Sequence, residues 1–203
     1  MENTYVLSDH TGEAIIIDPG CYEKSEQEDL VEYVKSEGLS IKLILNTHGH
    51  IDHVLGNSFC KEHFNVPLWI GDNDLETMKS VEAYAPNYGF QNYVSATPDK
   101  LLKVSDSVTF GASKLKILFV PGHAPGHIAF YDDSKEFIIG GDVLFQSSIG
   151  RTDLPGGDFD TLIQSIHNEF FSFPDDTVVY SGHGASTTIG TEKRTNPFCA
   201  LKQ

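Results

Sequence analysis

The chain has 203 residues, 14 Lys and Arg against 29 Asp and Glu, a formal charge of −15, nine His and three Cys. Apolar side chains make up 39%, an ordinary globular share once the 18 glycines are added, so disordered, collagen-like and coiled-coil classes are excluded. The acidic balance disfavours nucleic acid as a partner, and no apolar run approaches the ~20 residues of a membrane helix.

The N-terminus has neither a basic start nor an apolar stretch, so no signal peptide is expected. Cys21, Cys60 and Cys199 are scattered and none lies in a Cys-x-x-Cys pair. They read as packing or surface residues in a reducing, cytoplasmic compartment. No linker interrupts the chain, and the economical expectation is one α/β domain over 1–203.

In chain order, Tyr5–Leu7 and Ala14–Ile17 read as strands around the turn Asp9-His10-Thr11-Gly12, and Asp18-Pro19-Gly20 ends the second. Residues 25–37 read as an amphipathic helix with Leu30, Val31 and Val34 on one face, stopped by Gly38. Ile41–Leu45 is a continuous apolar strand, expected to be buried on both faces. A loop over 46–56 follows, then a short helix to His63 and a strand at 67–70. Residues 73–103 carry Tyr84, Tyr88, Phe90 and Tyr93 with few aliphatics, and read as a short helix plus irregular loop. Strands are expected at 107–110, 114–120, 128–131 and 136–139, a helix over 158–171 with Asp158 as N-cap, and a last strand at 177–180.

Four of these strands run into a His or an Asp, usually beside Gly: Thr47-His48-Gly49-His50-Ile51-Asp52-His53, Pro121-Gly122-His123, Gly140-Gly141-Asp142 and Ser181-Gly182-His183. Strand ends are where α/β sheets build sites. The H-x-H-x-D-H run is the specific signal. Imidazole and carboxylate donors together suit zinc, and also iron or manganese. The motif holds no Cys, which argues against a closed structural zinc site. His48, His50 and His123 would give one ion three nitrogens; Asp52, His53 and His183 would serve a second; Asp142 could bridge them. Singly, a Gly-His after a strand is more often a turn, so the weight lies in their convergence.

These segments resemble the metallo-β-lactamase fold superfamily, and within it the short glyoxalase II-like hydrolases. The resemblance covers nearly the whole chain. It rests on Thr47–His53, Pro121-Gly-His-Ala-Pro-Gly-His127, Gly141-Asp142, Ser148–Asp158, Gly182-His183-Gly184 and Thr191-Glu-Lys-Arg-Thr-Asn-Pro197. It implies an αββα four-layer sandwich. It implies His48, His50, Asp52, His53, His123, Asp142 and His183 as ligands of two divalent metal ions, zinc first, with iron or manganese also suited. It implies hydrolysis of an acyl compound, with the thioester S-lactoylglutathione as the familiar substrate. Arg151 would contact the glycine carboxylate of glutathione, or else form an ion pair with Asp153 or Asp158. His127 is either a hydrogen-bonding support for a ligand or plain packing; His10, His63 and His167 match no motif.

Two departures from the family stand out. Its members carry a strand ahead of the segment seen here at 3–6, and the longer ones continue past the last metal His with a helical domain that supplies further glutathione contacts. Only 20 residues follow His183, among them Lys193 and Arg194, which would partly substitute for those contacts or cap a terminal helix.

The expected chemistry is attack on a thioester carbonyl by hydroxide formed at the metals, which lower the pKa of water to about 7. Asp52 would also orient the nucleophile, and a thiolate leaving group needs no strong protein acid. A mononuclear iron persulfide dioxygenase-like enzyme is the alternative; as a pattern it tends to lack the second His of Pro-Gly-His-x-x-Gly-His, and this chain has His127. Phosphodiester cleavage is disfavoured by the charge. A non-catalytic metal scaffold is disfavoured by the complete ligand set.

Overall fold

A computed structural model describes residues 2–201. The chain divides into two compact units, 2–102 with 109–113, and 103–108 with the chain from 114 onward.

The first unit is built around a five-stranded sheet. Strands β1 (Tyr5–Ser8) and β2 (Glu13–Ile17) form an antiparallel hairpin, closed where Gly12 N–H donates to the Asp9 carbonyl at 3.1 Å. Helix α1 (Lys24–Ser36) begins with a capping box between Glu23 and Glu26 and ends before Gly38, whose φ of +65° suits glycine. Strand β3 (Ser40–Asn46) pairs parallel to β2. Its burial is less complete than the apolar run suggests: Lys42 is exposed and pairs with Glu13 at 3.2 Å, while everything from Leu43 to Asn46 is buried. The expected loop contains a one-turn helix α2 (Ile51–Val54), then come α3 (Asn57–Phe64) and β4 (Leu68–Gly71).

The obscure aromatic stretch holds α4 (Leu75–Tyr84), a loop and an edge strand β5 (Lys100–Leu102). That strand has only three residues, too few for an alternating pattern to show. Sheet order is β1-β2-β3-β4-β5. The core here is Ile16, Ile44, Val54, Leu68, Ile70, Met78 and their neighbours. Cys21 and Cys60 lie inside it with sulfurs 4.0 Å apart, and all three cysteines are buried free thiols.

The second unit carries a six-stranded sheet. Its strands are β6 (Ser107–Phe110), β7 (Ser113–Phe119), β8 (Ile128–Asp132) and β9 (Phe137–Gly141), then β12 (Val178–Ser181) and β13 (Thr187–Thr188) after a two-strand hairpin, β10 (Leu144–Phe145) with β11 (Ser148–Ile149). The order is β13-β12-β9-β8-β7-β6. Helix α5 (Phe159–Asn168) is capped by Asp158, which accepts from Thr161 N–H at 2.8 Å. It is shorter than expected: a 3-10 turn at Phe170–Ser172 follows, driving Phe170 and Phe171 into the core. The strand at 177–180 is not the last element. The two-residue β13 and helix α6 (Ile189–Thr195) come after it, both too short to show a period. Both units are α/β, and each has its own apolar core. No described helix is long and apolar enough to cross a membrane.

Candidate metal centre

In the first unit, the parallel strands β2, β3 and β4 end side by side, and each delivers polar residues at its C-terminal edge. Strand β2 ends at Asp18, which is buried at φ +51°. Its carboxylate accepts Thr47 N–H at 2.7 Å and the Thr47 hydroxyl at 2.6 Å, and meets His53 Nδ1 at 3.1 Å. A carboxylate only accepts, so His53 carries its proton on Nδ1 and leaves the lone pair on Nε2. The single Thr47 hydroxyl proton goes to Asp18, so its oxygen receives the proton of His48 Nδ1 at 3.0 Å. His48 therefore also presents Nε2 as a lone pair.

The rings of His48 and His53 lie 4.2 Å apart, and those of His48 and His50 lie 4.7 Å apart. Donor atoms of Asp18, His48 and His53 all fall within 4.8 Å of one another. Asp52 stands beside this cluster, with a carboxylate oxygen 3.9 Å from His53 Nε2 and its side chain 45% exposed.

Two further supports hold the loop. Gly49 N–H donates to the buried carboxylate of Asp74, which also accepts from the Thr77 hydroxyl at 2.9 Å. A Cβ on Gly49 would lie 2.8 Å from Met78 Cα, so only glycine lets the His48–His50 turn pass α4 so closely. Asn46 and Asn57 exchange amide hydrogen bonds, and Asn46 also donates to the His53 carbonyl at 3.0 Å. The carboxyl of Glu2 also belongs to this neighbourhood. Burial, with the Asp18 and Asp52 charges adding and His53 opposing, pushes it up to about 8.

In the second unit, β7, β9 and β12 run in the same direction and end at the same edge. They deliver His123, Asp142 and His183. One oxygen of Asp142 stands 3.5 Å from His123 Nε2 and 3.4 Å from His183 Nε2. His123 donates from Nδ1 to the Arg151 carbonyl at 2.7 Å, so its Nε2 too is the lone-pair nitrogen. His127 is fully buried and its Nε2 accepts the Asp142 backbone N–H at 3.0 Å, the hydrogen-bonding alternative read from the sequence. Gly150 passes so near that a Cβ there would run into the Asp142 carbonyl and come within 3.1 Å of His123 Nδ1.

This donor set fits a borderline metal. Three buried imidazoles are held by Nδ1–H bonds with Nε2 presented, the arrangement in which outer hydrogen bonds fix metal-binding histidines. Two donors ~2.1 Å from one tetrahedral ion stand about 3.4 Å apart. The Asp142 separations from His123 and His183 match that spacing.

The model of the metallo-beta-lactamase superfamily matches residues 1–183. This chain belongs to that superfamily. A hydroxyacylglutathione hydrolase, GloC, of Haemophilus influenzae is 40% identical over 99% of this chain and 94% of its own length. The crystal structure of the BLEG-1 B3 metallo-beta-lactamase matches with a TM-score of 0.86 at 36% identity, over 98% of this chain and 94% of the other. A di-iron-bound form of the protein TTHA1623 matches at 0.85 and 36%, over 97% and 94%. The fold is the α/β fold of that superfamily.

The expected ligands divide between the two units: His48, His50, Asp52 and His53 stand together in the first, and His123, Asp142 and His183 in the second. The Arg151 side chain forms a bidentate pair with Asp153, both bonds at 2.7 Å, the ion-pair alternative read from the sequence. Lys193 and Arg194 both reach Asp175, at 3.1 and 3.0 Å, and Lys193 also donates to the Phe173 carbonyl. Asp18 and Asp74 were not anticipated as site residues. The signal for Asp18 was present, since it directly follows a strand as Asp142 does, but Asp-Pro-Gly reads first as a turn.

Proposed function

We propose that this metallo-hydrolase cleaves a thioester, a hydroxyacyl conjugate of glutathione or a close relative, with the seven residues His48, His50, Asp52, His53, His123, Asp142 and His183 holding two divalent ions. The observation that supports this reading is the single Asp142 oxygen almost equally far from His123 and His183, so that one carboxylate would serve beside both imidazoles. The name of the GloC relative, aligned over nearly the full length of both chains, supports the substrate class. The imidazole and carboxylate donors suit zinc first, with iron and manganese also served.

When bound, the ions supply Lewis acidity and water of lowered pKa. The chain's own contribution is positional. Asp18 and the Arg151 carbonyl hold His53 and His123 in the tautomer that offers Nε2. Asp74 draws in the Gly49 amide and so sets the turn between His48 and His50. Asp52, the most exposed of the first-unit group, would also orient the attacking water. A thiolate leaves without a protein acid at ordinary thiol pKa. Arg151 lies on the surface and can exchange Asp153 for the carboxylate of an anionic substrate. Buried free thiols fit a cytoplasmic setting.

The test is metal analysis of the purified chain, coupled to thiol release from a panel of thioesters that includes S-lactoylglutathione. About two equivalents of metal and release of thiol are expected. One iron per chain with oxygen uptake on glutathione persulfide would instead select the dioxygenase alternative.

A further inference from the structure

The Thr191–Pro197 motif has no part in the chemistry so far, yet two of its side chains are among the most buried polar groups of the second unit. Glu192 is fully buried and Asn196 is 2% exposed. Three donors face the Glu192 carboxylate: the Thr187 hydroxyl at 2.5 Å, the Asn196 amide at 2.8 Å and Ser147 N–H at 3.0 Å. Asn196 also donates to the Ser148 carbonyl at 3.0 Å, and its own oxygen accepts from Phe198 and Cys199 N–H. Ser147 lies in the turn of the β10–β11 hairpin and Ser148 opens β11, and Ser147 sits at φ +57°, where a non-glycine residue needs support. The hairpin continues directly into Gly150, which donates to the Val143 carbonyl at 3.2 Å, and Arg151, whose carbonyl holds His123 Nδ1.

We infer that Glu192 and Asn196 are positioning residues: from helix α6 they clamp the β10–β11 hairpin, and through the Arg151 carbonyl they fix the ring of His123. This rests on His123 as a metal ligand, but the clamp has its own signature. The carboxylate accepts from all three donors, and Ala at the same place takes that acceptor away from the Ser147 N–H and the Asn196 amide. Helix α6 therefore acts on the site by holding the loop that orients a ligand.

The test is Glu192→Ala in the full-length protein as purified, read by NMR of the His123 Nδ1 proton, by amide exchange at Ser147 and Gly150, and by chelator competition for zinc. Loss of a charge-assisted hydrogen bond predicts exchange faster by about ten- to a hundredfold at those amides. The His123 proton signal should broaden into water, and zinc affinity should fall about tenfold or more. A folded Glu192→Ala protein with wild-type exchange at 147–150 and an unchanged His123 signal overturns the inference. If that variant does not fold, Asn196→Ser removes the bond to Ser148 and leaves Glu192 in place; an unaltered His123 signal there overturns it equally. A wild-type chain that took up no zinc would defeat the hydrolase reading, whereas the His123 proton and hairpin amides would still decide the clamp.

Discussion

His127 accepts the backbone N–H of Asp142 at 3.0 Å through Nε2, deep in the second unit. A ring that is buried and oriented by one backbone proton is not filler. Replacing it by Ala leaves that N–H buried without an acceptor, which costs about 1–3 kcal/mol. His127→Ala should therefore unfold at lower denaturant, and its metal affinity should fall by about ten- to a hundredfold. His127→Gln, which can place an oxygen near the same spot, should recover part of both. Denaturant titration and chelator competition on the two variants check this.

Asp18→Asn tests the other half of the site. Asn tolerates positive φ, so the +51° backbone of this position survives the change. What changes is the acceptor. One of the two carboxylate oxygens becomes an N–H2 group, and either Thr47 or His53 loses its partner. The folded structure should persist, while metal content drops and His53 loses its fixed tautomer. Circular dichroism together with metal analysis measures both; full metal occupancy in a folded Asp18→Asn chain would remove Asp18 from the site.

Much of this centre was legible before any coordinates, for a physical reason. Ligands must be His or Asp, must lie at strand ends, and must sit beside residues small enough for close backbone approach. The runs at 47–53, 121–123, 140–142 and 181–183 satisfy all three conditions. The supporting residues were hidden because their signal is not local. Asp74 meets Gly49 across 25 residues, and Glu192 meets Ser147 across 45. The missed elements, α2, β5, β10, β11 and β13, are short, and tertiary contact rather than periodicity holds them. The helix expected to run to 171 stops earlier because the Phe170 and Phe171 side chains are worth more in the core than one further α-turn.

The Arg151 pair gives a pH-dependent prediction. Hydrogen bonding to Arg151 lowers the Asp153 carboxyl to about 2. A depressed folded-state pKa means the pair's contribution is complete above the ordinary Asp value of ~3.9 and fades as pH falls through the folded value. In Arg151→Ala the Asp153 carboxyl should titrate close to the ordinary value, which carboxyl NMR reads directly. The pair is exposed, so thermal stability should hardly move. With a glutathione thioester, KM should rise and kcat stay near wild type; a small uncharged thioester should show neither effect.

Asp142→Ala removes a side chain that two imidazoles share in the second unit. His123 Nε2 and His183 Nε2 then lack the anionic oxygen that stands between them in the present arrangement. If that oxygen bridges two ions, both lose a ligand at once, so bound metal should drop from about two equivalents to one or fewer. Thiol release should fall with it. His127 should remain buried, because its packing does not depend on the Asp142 carboxylate, only on the backbone N–H that Ala retains. The fold should accordingly survive, and a circular dichroism spectrum unchanged beside a halved metal content is the expected pair of results. Unchanged metal content in that variant would exclude a bridging role.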